Sequence, residues 1–412
     1  MWGRKALRRL SVAAAAAAAA AAAMTTTALL LGAPVGAAEA PPEKYDIRNA
    51  AATVALVDRV AKWQMENFCY ADGKEENLHD HGIASWTNAV FYLGLTQWAP
   101  LSQRPDSCLA WLKSVGAKAE WKVAANFEEH PAYRIYHADE LCVGQFYLAM
   151  YERYGDGAML TSVKARLDRI LSSPPDTSMG YRSKQSWTWC DALFMAPPVY
   201  AAMAKISGCE AYLKFMDESF RRTHAHLFDA RERLFFRDGS YFDRREANGA
   251  KVFWGRGNGW AAAGVAGVLE ALPDSAPQRP FYENLLRELA ASLAALQDGR
   301  GYWRASLLDP GSYPAPEASA TALITYALAA GVNAGALPER EYLPTLEKAW
   351  AWLAAAVDKN GMLGWVQPVG ADPKKVTASM TAPYGAGALL MAGKQILLLN
   401  EKRIVNLDHI KK

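Results

Sequence analysis

Asp191 sits in Ser186-Trp187-Thr188-Trp189-Cys190-Asp191-Ala192-Leu193-Phe194-Met195, a carboxylate inside an aromatic run that leads into an apolar segment. Apolar surroundings disfavour the charged form and raise a carboxyl pKa, the condition for a side chain that must lose and regain a proton near neutral pH. The structural alternative is a cap for a helix starting at Ala192, which favours the ionised form. Asp139, in His137-Ala138-Asp139-Glu140, is the second candidate; it too opens an apolar segment, and it too has a capping alternative, with Glu140 in the first turn. Asp80, between His79 and His81, is the third. Three neighbouring carboxyl and imidazole groups raise the question of a metal. The helical H-E-x-x-H spacing is missing, so no metal is expected.

Gly255-Arg256-Gly257-Asn258-Gly259-Trp260 is the most unusual stretch. A nucleotide-binding reading needs a strand before it and Lys-Ser/Thr after it, and neither is visible. It reads better as a glycine-relaxed turn that brings Arg256 and Asn258 to a ligand. A guanidinium is the fork-shaped partner of a carboxylate, which suits a uronic acid; the alternative is an internal ion pair. The chain has 14 Trp and 18 Tyr, and Trp86, Trp187, Trp189, Trp254, Trp260, Trp303, Trp365 and Tyr384 stand at similar junctions. Singly, such rings are core residues with a polar handle. Clustered at one rim, their flat faces suit the apolar faces of sugar rings.

The elements that must position these residues follow an alternation. Residues 53–68, 160–172, 210–228, 282–296 and 343–357 mix apolar and charged positions at helical spacing, as amphipathic helices do. Between them lie segments rich in Ala, Gly and Leu with few charges: 85–95, 141–151, 191–203, 259–272, 319–330 and 385–398. Helices apolar on most faces are buried helices. Each is introduced by a polar or aromatic loop, at 79–84, 136–140, 185–190, 253–258, 309–318 and 377–384. Exposed helix, loop and buried helix thus alternate six times. The repeats are long and poorly self-similar, which favours a closed ring of hairpins over an open array. The predicted fold is all-α, an (α/α)6 barrel whose inner-helix entry loops share one end and form a cleft. A short β-hairpin around Asn248-Gly249 is allowed within 235–254. No linker splits the chain.

Residues 1–40 read as a secretory leader. Arg4, Lys5, Arg8 and Arg9 precede an alanine tract and the apolar run 28–31, and Ala38-Glu39-Ala40 fits the small-x-small cleavage pattern before Pro41. Export to the periplasm or the outside is expected, leaving residues 41–412 as one catalytic domain. Lys plus Arg number 45 and Asp plus Glu 42; without the leader the two signs balance, and no basic stripe argues for nucleic acid. No later run is apolar for long enough to span a bilayer. The five cysteines, Cys69, Cys108, Cys142, Cys190 and Cys209, contain no C-x-x-C pair; they read as small buried hydrophobes, with one disulfide allowed.

Six stretches in order carry a family resemblance. They are Ser85-Trp86-Thr87-Asn88-Ala89-Val90-Phe91; His137-Ala138-Asp139-Glu140-Leu141-Cys142-Val143-Gly144-Gln145; Trp189-Cys190-Asp191-Ala192-Leu193-Phe194-Met195-Ala196-Pro197-Pro198; Phe253-Trp254-Gly255-Arg256-Gly257-Asn258-Gly259-Trp260; Asp309-Pro310-Gly311-Ser312-Tyr313; and Pro383-Tyr384-Gly385-Ala386-Gly387-Ala388. Together the chain resembles family 105 of the glycoside hydrolases, the unsaturated rhamnogalacturonyl hydrolases. The resemblance implies an (α/α)6 barrel that removes a 4,5-unsaturated galacturonyl residue from the non-reducing end of lyase-generated pectin oligosaccharides. It implies acid-initiated hydration of the double bond, with Asp191 as acid/base and Asp139 as the second carboxylate, Glu140 beside it. An enol ether protonates to an oxygen-stabilised cation, so one placed acid can start the reaction, and the carboxylate separations of ordinary glycosidases do not apply.

The expected substrate-binding residues are Arg256, Asn258, Trp189, Trp254, Trp260, Trp86, His137 and Tyr384. The expected partner is an oligosaccharide, bound by a monomer without metal or cofactor, nucleic acid or, after leader cleavage, membrane. The competing readings are an unsaturated glucuronyl hydrolase, a non-catalytic sugar-binding barrel, and an endo-acting glycosidase or an epimerase of the same architecture, the last resting on His130 and His137.

Overall fold

A computed structural model describes residues 46–68, 82–123, 133–183 and 185–410. Residues 1–40, expected to be a leader, Asp80 with its flanking His79 and His81, His130 and Cys69 lie outside the described residues. The longer helices among those described are α1 (Ala50–Glu66), α2 (Trp86–Trp98), α3 (Pro105–Lys118), α4 (Val143–Tyr154), α5 (Ala158–Ser172), α6 (Pro197–Ser207), α7 (Glu210–Leu227), α8 (Gly255–Ala271), α9 (Arg279–Ala295), α10 (Ala318–Asn333), α11 (Glu339–Ala356) and α12 (Pro383–Ile410).

The even-numbered helices form the inner ring. α2 packs on α4, α4 on α6, α6 on α8, α8 on α10, α10 on α12, and α12 returns to α2. Each odd-numbered helix lies outside the ring. α3 covers α2, α5 covers α4, α7 covers α6, α9 covers α8 and α11 covers α10, while α1 covers α12. The predicted (α/α)6 barrel is the observed fold, with α3 an outer helix that the sequence reading had not separated. Pro105 starts it at a position where its missing N–H costs nothing, and Cys108, Leu109, Leu112 and Val115 bury one face.

Composition explains the two layers. α10 buries every residue from Ala318 to Val332, whereas α7 buries one stripe, Tyr212, Met216, Ser219, Phe220, Thr223 and Leu227, beside exposed charges. Small residues bring the inner helices together: a Cβ on Gly94 of α2 or on Gly387 of α12 would run into the other helix's backbone. Cys108, Cys142 and Cys190 are buried free thiols, as read from composition; Cys209 is exposed.

Two predicted inner helices are broken near their starts. The segment predicted over 191–203 is a turn, Ala192–Met195, followed by α6. Pro197 and Pro198 have no N–H to continue the ladder across Ala196. The segment predicted over 141–151 starts as a turn at Ala138–Leu141 before α4. The hairpin expected at Asn248-Gly249 is a turn with one bridge, Arg245 to Lys251; the paired strands are Phe228–Asp229 and Leu234–Phe235. No helix among the described residues is long and apolar enough to cross a membrane.

Candidate active site

Rings at the N-terminal ends of α2, α8 and α12 meet: Trp86 lies 6.1 Å from Trp260 and 5.4 Å from Tyr384 between centroids. These inner helices therefore start at one end of the barrel, where the two aspartates also lie. Asp191 occupies the N-cap position of the turn Ala192–Met195 but makes no side-chain capping bond. Its Oδ1 is buried without a hydrogen-bond partner, and the residue is only 7% exposed. The capping alternative is thereby set aside. Burial pushes the Asp191 carboxyl up to about 6; Arg237 pulls it down, Asp139 adds to the rise, and Arg256 lowers it further.

Asp139 lies in the first turn of Ala138–Leu141, with His137 at the cap position. Its Oδ1 is likewise buried and unbonded. Burial, then the neighbouring Glu140 charge, push its carboxyl up to about 7 against the pull of Arg237. His137 Nδ1 stands 3.8 Å from Asp139 Oδ2, and the His137 ring lies against Trp189, 4.6 Å between centroids. Two carboxyl groups with raised pKa values, one imidazole and one indole thus meet where the turns leading into α4 and α6 adjoin. Such a pair titrates together and retains a proton near neutrality.

The glycine-rich stretch is not a turn. Gly255–Trp260 forms the first turns of α8, and its glycines admit close neighbours: a Cβ on Gly255 would strike the Arg304 carbonyl oxygen, and one on Gly257 would come within 3.0 Å of Cys190 Sγ. As a result Arg256 and Asn258, expected at the substrate, point into the protein. Asn258 is fully buried; its Oδ1 accepts Phe235 N at 2.7 Å and its Nδ2 donates to Phe235 O and Trp254 O, each at 3.1 Å. Arg256 is fully buried over the Trp254 and Tyr384 rings. It donates to the backbone oxygens of Gln367 and Pro368 and to Tyr384 Oη. Its backbone partners make it a clamp on the loop before α12.

Trp254, Trp260 and Tyr384, expected at the substrate, are packed into the wall at 2%, 1% and 1% exposure. Trp254 Nε1 donates to Gln367 Oε1 at 3.2 Å, and Tyr384 Oη donates to Gln367 O at 2.5 Å. Trp86 and His137 stay half-buried, and Trp189 is nearly covered. Among the described residues, no group of three His, Cys, Asp or Glu gathers as a metal site.

The profile of Glycosyl Hydrolase Family 88 matches residues 56–399. The chain belongs to this family. It is a glycoside hydrolase, and the family number differs from the 105 suggested by its motifs. An unsaturated 3S-rhamnoglycuronyl hydrolase from Alteromonas sp. (strain LOR) is 36% identical over 361 residues, 84% of this chain and 85% of that protein. A solved family 88 structure from Bacteroides vulgatus has a TM-score of 0.75 at 29% identity, covering 84% of this chain and 99% of its own. A solved structure described as a polysaccharide lyase has a TM-score of 0.76 at 31% identity, covering 85% and 98%.

In this family 88 enzyme two residues near the site went unnoticed in the sequence. Arg237 Nε stands 3.7 Å from Asp191 Oδ2, and Arg237 Nη1 donates to Asp238 Oδ2 at 2.5 Å. No motif marks Arg237; the Cys190 N–H to Arg237 carbonyl bond, 2.8 Å, brings it beside the acid from a distant segment. Glu317 was the other, and its signal was legible: an acidic residue two before a serine at the start of an apolar run is a cap pattern. Its oxygens accept from Ser319 N, Ser319 Oγ, Ala320 N and Gln367 N. It fixes the loop that Arg256 also grips. Chemically the mouth offers a proton donor, a second carboxyl group and a cation.

Proposed function

We propose that the enzyme removes a 4,5-unsaturated uronic acid from the non-reducing end of oligosaccharides left by polysaccharide lyases, by hydrating the ring double bond. The observation that carries this reading is Asp191: a buried carboxyl group with an unbonded oxygen, pushed up to about 6, at the mouth of the barrel. The acid form gives its proton to C4, and the ring oxygen stabilises the cation at C5. Water adds to C5 and returns a proton to the Asp191 carboxylate. The hemiketal opens, the bond from C1 to the next sugar's oxygen breaks, and one water has been consumed. Asp139, pushed up to about 7, is the second carboxyl group facing the same ring.

Elimination across C4–C5 erases the C4 configuration that separates galacturonate from glucuronate. The unsaturated residue is then common to both, and selectivity lies in the linkage and the sugar beyond. Rhamnose is our choice for that sugar. The motif resemblance to family 105 and the name of the Alteromonas relative both point to it, and the pectin-derived unsaturated galacturonyl-rhamnose is the first compound to try. The reading includes export, on the leader pattern of residues 1–40.

The test is the ultraviolet absorbance of the alkene conjugated to its carboxylate. It should fall when the enzyme meets unsaturated uronyl-rhamnose and stay constant with the saturated disaccharide. A rise in absorbance from intact polymer would make the protein a lyase, the reading favoured by the 31%-identical structure. No change with rhamnose-linked substrate, but a fall with amino-sugar-linked substrate, would move it to glycosaminoglycan fragments.

A further inference from the structure

Two guanidinium groups bear on Asp191, and they differ in access. Arg256 is fully buried, whereas the Arg237 side chain is 28% exposed. Arg237 is also held from three sides. Its carbonyl accepts Cys190 N–H at 2.8 Å; the next residue, Asp238, bridges to Trp189; and Asp238 takes Nη1 on Oδ2 while its Oδ1 accepts Ser240 N at 2.8 Å. The segment that carries the cation is thus fastened to the segment that carries the acid.

Asp238 occupies Nη1 and leaves the opposite edge of the guanidinium, formed by Nε and Nη2. Nε makes no hydrogen bond; at 3.7 Å, Asp191 Oδ2 is an ionic neighbour and too far to accept one. A planar pair of N–H groups is the shape that receives a carboxylate in a fork. A buried donor without a partner is costly unless something supplies one.

We infer that Arg237 docks the carboxylate of the terminal uronic acid and thereby sets C4 against Asp191. The inference rests on the reaction proposed above and names its carboxylate subsite. The carboxylate carbon is bonded to C5, and C5 to C4. A carboxylate seated on the Nε/Nη2 edge therefore holds C4 two bonds away, beside the acid 3.7 Å from that edge. Asp238 keeps the guanidinium from swinging onto Asp191 when the site is empty.

The experiment compares unsaturated uronyl-rhamnose with its methyl ester on wild type, Arg237→Gln and Arg237→Lys, following absorbance. Wild type should prefer the free acid, with KM for the ester about 10- to 100-fold higher, the range of a charge-assisted hydrogen-bonded pair. Arg237→Gln should raise KM for the acid by a similar factor and no longer distinguish acid from ester; Arg237→Lys should recover part of the preference. Arg237→Gln should also move the alkaline limb of the kcat profile to higher pH, because it removes a cation that lowers the Asp191 carboxyl. If Arg237→Gln keeps the wild-type preference, or shifts the pH profile with KM unchanged, Arg237 only tunes Asp191 and the inference falls. If wild type turns over neither compound, the proposed reaction falls with it. Should Arg237→Gln fail to fold, the acid-to-ester ratio of wild type against Arg237→Lys still decides.

Discussion

Asp191 and Glu317 are both carboxylates at the N-terminal ends of inner segments, and both are nearly or wholly buried, at 7% and 0% exposure. What separates them is their bonding. Glu317 accepts from four donors and caps α10. Asp191 stands at the same kind of position, accepts no capping bond, and keeps Oδ1 empty. Donors hold a carboxylate in its charged form, whereas burial without donors favours the acid. Burial alone is therefore no mark of chemistry; burial with an unmet oxygen is.

The comparison can be tested most strongly at Asp191. Asp191→Asn keeps the shape and removes the proton, so kcat should drop by about 10²–10⁴-fold, the usual worth of a general acid, with a circular dichroism spectrum like that of wild type. A variant of undiminished turnover would strip Asp191 of its role. Glu317→Ala should do the reverse, costing about 2–4 kcal/mol of stability in a denaturant titration, since it leaves buried donors unmatched. If Glu317→Ala proved as stable as wild type, the contrast would lose its structural half.

A smaller effect is expected from pH. Asp191 near 6, with Asp139 near 7 beside it and Arg237 and Arg256 opposing, must be protonated to act. The kcat/KM profile should therefore fall on its alkaline side, through the range set by the pair, and Arg237 should hold it there. The smallest effect is on stability. Both carboxyls are raised above the ordinary aspartate value of about 3.9, so between that value and about 6–7 the folded chain binds more protons than the unfolded one. Their contribution is then most favourable below this window and declines as pH rises through it. Melting temperatures of wild type and Asp191→Asn, taken on both sides of the window, should show the variant gaining on wild type at the higher pH. A constant difference would mean that Asp191 is not raised by folding.

The barrel was legible because hydrophobic periodicity reports burial directly. α10 has no charged residue in its body and α7 has a charged face, and that difference alone places one inside and one outside. The breaks before α4 and α6 were less legible, although Pro197-Pro198 signalled the second. The aspartates were legible as candidates, but only the folded chain shows that neither spends itself on a cap. The stretch around Arg256 and Asn258 was misread as a turn because of its three glycines. In the structure those glycines let α8 press against its neighbours, and an α-helix so packed turns its long side chains inward. Arg237 was invisible for the opposite reason: its place beside Asp191 depends on a backbone bond to Cys190, which no local pattern encodes.

Outer helix α1 covers α12, while every other outer helix covers the inner helix just before it. α1 therefore reaches its main partner only when α12 arrives, although Asp58 on α1 accepts from Trp98 Nε1 at the end of α2 and from Gln103 N. Asp139, Asp191 and Arg237 are translated well before Tyr384 and the rest of α12, so a ribosome-bound intermediate can hold the reactive groups without the wall that encloses them. Catalysis by this enzyme has to wait for the ring to shut.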